Sequence, residues 1–593
     1  MKTGYGERGP LLTSPLIIFY ILGLFWLVTT AAAMNMQRHD SSVLVGLELQ
    51  VIVTSVALAS VYTWGRFRPK QLAILSGFYV AAMSMLPSLK YSLLYGSGDA
   101  LRHLSLMEQI QRTSTVPSFG YYVDFPTFHI LHAQYSLLAG IPLIQVQELL
   151  TPSLFFLYPL LSFAMVSRVS SSVEIQRLSS FISAILFTGY PWAFYYAAPA
   201  MLALLIVVMI YFILVCGGPL TNLIGGRTVV LLLLLALVPL HHYAVAVFVG
   251  ILTLSWVLKW LAPIGMMRSG TILSVLGKAA LLLSILSALW WFFHATVTYA
   301  FIAAVLVPEN IVLLQPLGAG LGQFPFLTWV QIVMRQYAAK AVLLLLLLPS
   351  FAIAIYRQVA NRRDSTTTNL TSNVRLIGLV GSWLVILGLV FVSRFGNVQP
   401  YRIFMFGLLI TIPFCANTLH VLTQSFRTLF GRKGARVMRV ALLTGILLLP
   451  FVEFFPNDDL RPRVVYNQVN SVYQYEALFF LSRSSNLEVS TDIITIRQAT
   501  GFFYEGLYGR LLGVYDPTRR EALDGLLLHR GTCSSSMLIV FHRPAFAGAY
   551  GESPYDALSD QELDALISNA VIGSNVVFTN SQVFVVFCAG SRG

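Results

Sequence analysis

The chain has 593 residues, of which 56% are hydrophobic and only 11% charged, and its mean hydropathy is +0.74. This excludes an ordinary soluble globule and marks a polytopic membrane protein. The formal net charge of +13 does not point to nucleic acid: residues 456–593 hold ten Lys/Arg against fourteen Asp/Glu, so the surplus lies wholly in the apolar part.

The first apolar run follows Lys2 and Arg8, is about 20 residues long and leads at once into further spans, so an uncleaved helix is expected rather than a signal peptide. Runs long enough to cross a bilayer lie at 15–34, 43–64, 71–90, 151–167, 179–196, 198–216, 228–240, 243–261, 272–303, 340–356, 375–393, 403–421 and 437–455. The expectation is an α-helical polytopic membrane protein of about 13 transmembrane helices. With the N-terminus inside, 20 Lys/Arg fall in cytoplasmic segments and eight on the other side. The positive-inside bias selects that orientation, with the C-terminal tail outside.

Between the third and fourth runs lies a long polar interruption, Gly96–Gly140, within a large outer loop at 91–150. It carries Asp99, Arg102, His103, Glu108, Arg112, Asp124, His129 and His132, a cluster that lipid-exposed bilayer core does not tolerate. Asp99 follows a span closely. Its carboxylate suits a general base on an acceptor hydroxyl, or the N-cap of a helix beginning at Ala100; the two roles are compatible. Arg102, His103 and Arg112 are of the type that binds phosphate, or are charges on a solvated amphipathic helix. His129 and His132, three apart, share a helix face. With Asp124 they hint at a metal, though two histidines are too few for zinc.

Further along, His241 and His242 lie between two outward span ends, where adjacent polar residues need water, a partner or a ligand. Glu309 is the only acid in its outer loop. Arg402 opens a span from the outer side, a depth at which a guanidinium snorkels or pairs with an anionic lipid phosphate. Neither a Walker loop nor a serine-nucleophile elbow is present.

From Asn457 the apolar runs shorten and alternate. Ser536–His542 and Asn575–Phe587 read as strands, the second a hairpin turning at Asn580-Ser581. Ser559–Glu562 is a capping box opening a short helix, Gln561–Asn569. The predicted organisation is a transmembrane domain, 1–455, and a small extracytoplasmic α/β domain, 456–593. Cys533 and Cys588 are candidates for a disulfide there.

An acid just after an early span, a juxtamembrane helix, then FPTFHILHAQYSLLAGIP ahead of TPSLFFLYPLLSFAMVSR resembles the first outer loop of the GT-C membrane glycosyltransferases. Phe125-Pro126-Thr127-Phe128 stands where the aminoarabinose and protein O-mannosyl branches carry a Pro-Pro-Leu-type segment. LFTGYPWAFYYAAPAMLALLIVVMIYFIL resembles their next pair of spans. The resemblance implies a plasma-membrane enzyme with its site facing outside. It would move a sugar from a polyprenyl- or dolichyl-phosphate donor to a glycan, lipid or protein acceptor. Asp99 would be the catalytic acid/base, Arg402, Arg102 and His103 would meet the donor phosphate, and Asp124, His129, His241, His242 and Glu309 would frame the cavity. Mg or Mn is a possible cofactor. The family often carries paired acids, whereas Ala100 follows Asp99 here and leaves Asp124 or Glu108 as second acid. The Trp-Trp-Asp motif of oligosaccharyltransferases is absent from the tail. A polymerase or ligase using a lipid-diphosphate donor, and a non-enzymatic lipid or solute transporter, are the alternatives.

Overall fold

The computed structural model describes residues 15–34, 46–65, 67–90, 99–116, 124–188, 199–216, 224–261, 272–295, 326–359, 374–393, 400–449, 472–484, 488–492, 511–515, 537–542, 575–579 and 583–588. In chain order the helices are α1 (Pro15–Ala33), α2 (Glu48–Trp64), α3 (Pro69–Lys90), α4 (Asp99–Thr113), α5 (Thr127–Ala139), α6 (Leu143–Phe155), α7 (Leu157–Val169) and α8 (Val173–Thr188). They continue as α9 (Pro199–Cys216), α10 (Ile224–Leu237), α11 (His242–Leu261), α12 (Ile272–Phe293), α13 (Phe326–Val359), α14 (Val374–Ser393), α15 (Pro400–Leu448) and α16 (Val472–Ser484). Among the described residues, five stretches are long and apolar enough to span a bilayer: 15–33, 69–90, 143–169, 340–357 and 403–448. Shorter apolar helices fill much of α9 to α12 and α14. The molecule is a helical, multi-pass membrane protein.

Every apolar run read from the sequence overlaps one of these helices. The run at 151–167 falls across α6 and α7, and the described part of the long run at 272–303 is helical only as far as Phe293. The last two runs lie in α15. At about 1.5 Å per residue, its 49 residues measure roughly twice the thickness of the hydrocarbon core. It therefore cannot cross once as a straight rod. It breaks at Gly431, whose φ of 63° and ψ of −178° lie outside the helical region and where a Cβ-bearing residue is strained.

Helix faces meet through hydrogen bonds between buried polar groups, the expected glue where hydrophobicity cannot tell a neighbouring helix from lipid. Tyr20 on α1 donates to the Leu75 carbonyl of α3 at 2.7 Å, and Tyr62 on α2 meets Ser76 of α3 at 2.8 Å. Ser255 on α11 meets Ser382 of α14 at 2.9 Å. Trp383 on α14 donates from its indole to the Ile403 carbonyl of α15 at 2.9 Å. Its ring occupies the space that a Cβ at Gly407 would need.

A clasp gathers one end of the bundle. Arg177 on α8 donates to the Tyr62 and Gly65 carbonyls at the end of α2, at 2.8 and 3.0 Å, a cation on the negative end of a helix. Glu174, in the first turn of α8, accepts from Arg177 and from Arg439, which lies beyond the break of α15. His420, before the break, lies within electrostatic range of Glu174 and Arg439. The end of α2, the start of α8 and the middle of α15 thus share one side of the membrane.

The tail forms a five-stranded mixed sheet of β1 (Glu488–Asp492), β2 (Leu511–Tyr515), β3 (Met537–His542), β4 (Asn575–Thr579) and β5 (Val583–Cys588), in the order β2-β1-β3-β5-β4. β1 pairs in parallel with β2 and β3, whereas β5 pairs antiparallel with β3 and β4. α16 packs on β5 and β4 and buries Ala477, Leu478 and Leu481. The strands read at 536–542 and 575–587 are β3, β4 and β5. The capping-box helix, the turn at Asn580-Ser581 and Cys533 lie outside the described residues, and the Cys588 side chain does too.

Candidate functional site

The polar interruption folds as two short helices packed on each other and on α6. α4 begins at Asp99 and is amphipathic. Ala100, His103, Leu104 and Met107 recur at helical spacing on its buried face, while Arg112 is exposed. Gln147, fully buried on α6, donates from Nε2 to the Ala100 carbonyl at 3.2 Å and so holds the first turn of α4 in place.

α5 starts after Pro126 and ends at Gly140, whose φ of 66° lets its N–H close the last turn on the Ser136 carbonyl. One face buries Phe128, His129, His132, Ala133 and Ser136. The opposite stripe of Leu131, Tyr135 and Leu138 is exposed and apolar, which suits hydrocarbon rather than water. The pair of short helices thus has the character of a membrane-surface element.

Its core is built from histidines. His103 Nδ1 lies 2.9 Å from His129 Nε2, and both residues are 1% exposed. The contact uses one of the two nitrogens of each ring, and one ring donates while the other accepts. His132, one turn along α5, donates from Nδ1 to the Phe128 carbonyl at 2.8 Å. That fixes its tautomer and makes Nε2 the acceptor nitrogen, which is buried with no hydrogen-bond partner among the described residues. The Phe128 ring contacts all three imidazoles, at centroid distances of 5.4, 5.4 and 4.1 Å to His103, His129 and His132. Burial, then the neighbouring His103 and His132, holds the His129 pKa well below the usual histidine range. Burial pushes His132 down to about 4 against the opposing effect of the Phe128 carbonyl. Both rings are neutral at physiological pH.

A second group abuts the start of α5. The Asp124 carbonyl accepts from the Trp290 indole of α12 at 2.9 Å, and Asp124 itself is buried. The Thr127 N–H reaches the Pro239 carbonyl ahead of α11 at 3.4 Å. Phe125 packs on His242 at 4.9 Å, and His242 stacks on His241 at 5.3 Å with the planes 17° apart. His241 accepts the Ala244 N–H on Nδ1 at 3.1 Å, satisfying an orphan donor at the start of α11 and leaving its proton on Nε2. Beside this stack, Tyr243 faces Phe406 of α15 at a centroid distance of 6.5 Å. Phe406 is one helical turn after position 402.

The structure therefore brings the His241–His242 stack against Phe125, next to Asp124 in the chain, and puts His103 against His129 in a separate cluster. It places Asp99 at the start of α4 and Arg102 a turn later, and Arg402 in the first turn of α15; the side chains of these three lie outside the described set. Glu309 lies outside the described residues altogether. Among the described residues no group of three or more His, Cys, Asp or Glu is arranged to hold a metal. Sequence reading passed over Lys90, Gln147, Trp290 and Tyr243. Lys90 closes α3 fully buried and engaged with a partner, a costly position for an ammonium; its only sequence signal was a lone cation at the edge of the polar loop.

No protein-family model matches the sequence, and no curated protein does. Among solved structures, the apo oligosaccharyltransferase of Archaeoglobus fulgidus is similar at 12% identity over 81% of this chain and 70% of that one, with a TM-score of 0.49. The same enzyme in complex with Zn and sulfate matches at 11% identity over 84% and 70%, with a TM-score of 0.49. ArnT from Cupriavidus metallidurans matches at 12% identity over 84% of this chain and 95% of its own, with a TM-score of 0.37.

Proposed function

We propose that this protein is a plasma-membrane glycosyltransferase of the GT-C kind, moving a sugar from a polyprenyl- or dolichyl-phosphate donor to an acceptor hydroxyl at the outer face. The observation that carries this reading is the junction of α5, α11, α12 and α15. The turn holding Asp124 is pinned by Trp290, Phe125 rests on His242, and the adjacent Tyr243 meets Phe406, one turn from Arg402. An outer loop bearing acids is thereby tied to a span that opens with a guanidinium, which is the pairing that lipid-phosphate glycosyl transfer requires.

In this reading Asp99 takes the proton of the acceptor hydroxyl as it attacks the anomeric carbon. The C–O bond to phosphate breaks with its electron pair on the leaving lipid phosphate, and Arg402 with Arg102 stabilises that charge. Asp124, His241, His242 and Glu309 frame the acceptor side, and His129 stands behind them in the core of α4 and α5. Phosphate neutralisation is assigned to the arginines.

The test is release of radiolabelled sugar from synthetic polyprenyl-phosphate donors by the purified protein in nanodiscs. Asp99→Asn should lower the rate by roughly 10²-fold or more. Arg402→Ala should do so at least as strongly, with thermal midpoints unchanged in both. Full activity in Asp99→Asn would remove that residue and shift the role to Asp124 or Glu309. A wild type that cleaves none of the donors would turn the assignment towards a transporter.

A further inference from the structure

The break of α15 gathers cations in an arrangement that is unfavourable by itself. The two halves meet at Gly431, and the second begins with Arg432 and Lys433. Cations in the first turn of a helix oppose its dipole. Arg436 lies four residues after Arg432 and three after Lys433, so like charges share one face and repel. Arg427 stands in the last turn of the first half. All four are exposed, and none is ion-paired among the described residues. Glu174 is engaged by Arg177 and Arg439, and residues 365–452 contain no acid. Arg439 belongs to the opposite face, with the buried Ala435 and Leu443.

Large apolar side chains alternate with these cations and are equally open. Leu429 is 72% exposed and Val437 62%, and Phe430 and Met438 are exposed as well. Water is unfavourable for these side chains, and hydrocarbon is unfavourable for the cations. Both are accommodated at one depth, where headgroups meet acyl chains and long basic side chains snorkel outward. The length of the first half agrees, since a helix from 403 to 431 rises about 40 Å and reaches past the hydrocarbon core.

We propose that the break of α15 is a binding site for anionic phospholipid. Headgroup phosphates sit among Arg427, Arg432, Lys433 and Arg436, while Leu429, Phe430, Val437 and Met438 enter the acyl region. A phosphate there relieves the repulsion and the opposed dipole together. The apolar side chains make the occupant a lipid: a free anion, or an acidic protein held by charge alone, would leave them in water. The site needs no glycosyl transfer.

The experiment places the full-length protein in nanodiscs of phosphatidylcholine alone or mixed with phosphatidylglycerol. Native mass spectrometry reads the lipid retained, and a thermal scan reads stability in each disc. Wild type should prefer phosphatidylglycerol by about tenfold or more and melt higher in the mixed discs. Each interfacial cation contributes about fivefold to such binding, so Arg432→Gln, Lys433→Gln and Arg436→Gln together should lose roughly a hundredfold. The midpoint of that triple variant should no longer respond to phosphatidylglycerol. In phosphatidylcholine alone it should match or exceed wild type, because the repulsion is gone. A lower midpoint there would make the cations structural and overturn the site. Removing three exposed cations elsewhere, with Arg68→Gln, Lys70→Gln and Arg168→Gln, should leave the preference within about twofold. An equal loss in that control would show undirected surface attraction and sink the site. Inorganic phosphate in excess should displace no lipid, and displacement would mean that a free anion is the occupant. A wild type that ignores phosphatidylglycerol but captures polyglutamate would assign the patch to an acidic protein instead.

Discussion

A buried imidazole is worth following because its charge state links directly to stability. His132 is neutral in the folded protein, with its pKa down at about 4, against about 6.5 when the chain unfolds. Between those values the unfolded chain binds the extra proton, so stability is fully present above about pH 6.5 and is lost as pH falls towards 4. The difference is worth about 3 kcal/mol for His132, and His129 contributes with the same sign. Denaturant unfolding in micelles should therefore show a falling midpoint from pH 7 to pH 4.5. His132→Phe keeps the ring's bulk against Phe128 and removes the titrating nitrogen, so it should flatten that slope. An unchanged slope in the variant would mean that other groups set the acid sensitivity. The sequence allowed His129 and His132 to be placed on one face, since spacing fixes that. That His103 would meet them was not legible, because the contact joins residues 26 apart through the packing of two helices. The expectation of a solvated helix at Arg102, His103 and Arg112 holds for Arg112, which is exposed, and differs for His103, which is buried.

At the scale of elements, apolar length was the legible quantity and helix termini were not. The runs at 403–421 and 437–455 read as two separate spans, and the structure has two helices there that meet at Gly431. Hydropathy marks the polar gap between them, whereas the residue at which the backbone turns is set by the missing Cβ. Among the described residues, nothing beyond its chain neighbours and its own helix backbone lies within 4 Å of where a Cβ at Gly431 would sit, so the cost of substitution is conformational. Gly431→Ala should therefore destabilise by about 1–3 kcal/mol, seen as a lower thermal midpoint at unchanged helix content by circular dichroism. A neutral result would mean that the two halves of α15 do not rely on that geometry to fold back. The tail shows the same division. β3 and the β4–β5 hairpin were visible as alternating runs, whereas β1 and β2, each only five residues long, gain their strand character from parallel pairing around β3.

For the whole molecule, the two gatherings of helix ends constrain topology without reference to charge. The clasp of Glu174, Arg177 and Arg439 ties the end of α2, the start of α8 and the middle of α15 to one side. The junction around Asp124, Trp290, His242 and Phe406 ties the start of α5, the end of α12 and the starts of α11 and α15 together. From residue 403 to 431 a helix rises about 40 Å, enough to cross the bilayer once, so the two gatherings lie on opposite faces. The positive-inside bias leads to the expectation that the clasp is cytoplasmic. Arg427, Arg432, Lys433 and Arg436 crowd the break of α15 within a stretch, 365–452, that contains no Asp or Glu. Thr428→Cys beside the break should then resist a membrane-impermeant maleimide in intact cells and react once the membrane is opened. Thr113→Cys, exposed at the end of α4, should react from outside without permeabilisation. Labelling of both from the same side would break the link between the two gatherings. Labelling of each from the reverse side would invert the molecule and put Asp99 in the cytoplasm, where nucleotide sugars are at hand and a lipid-phosphate donor would lose its rationale.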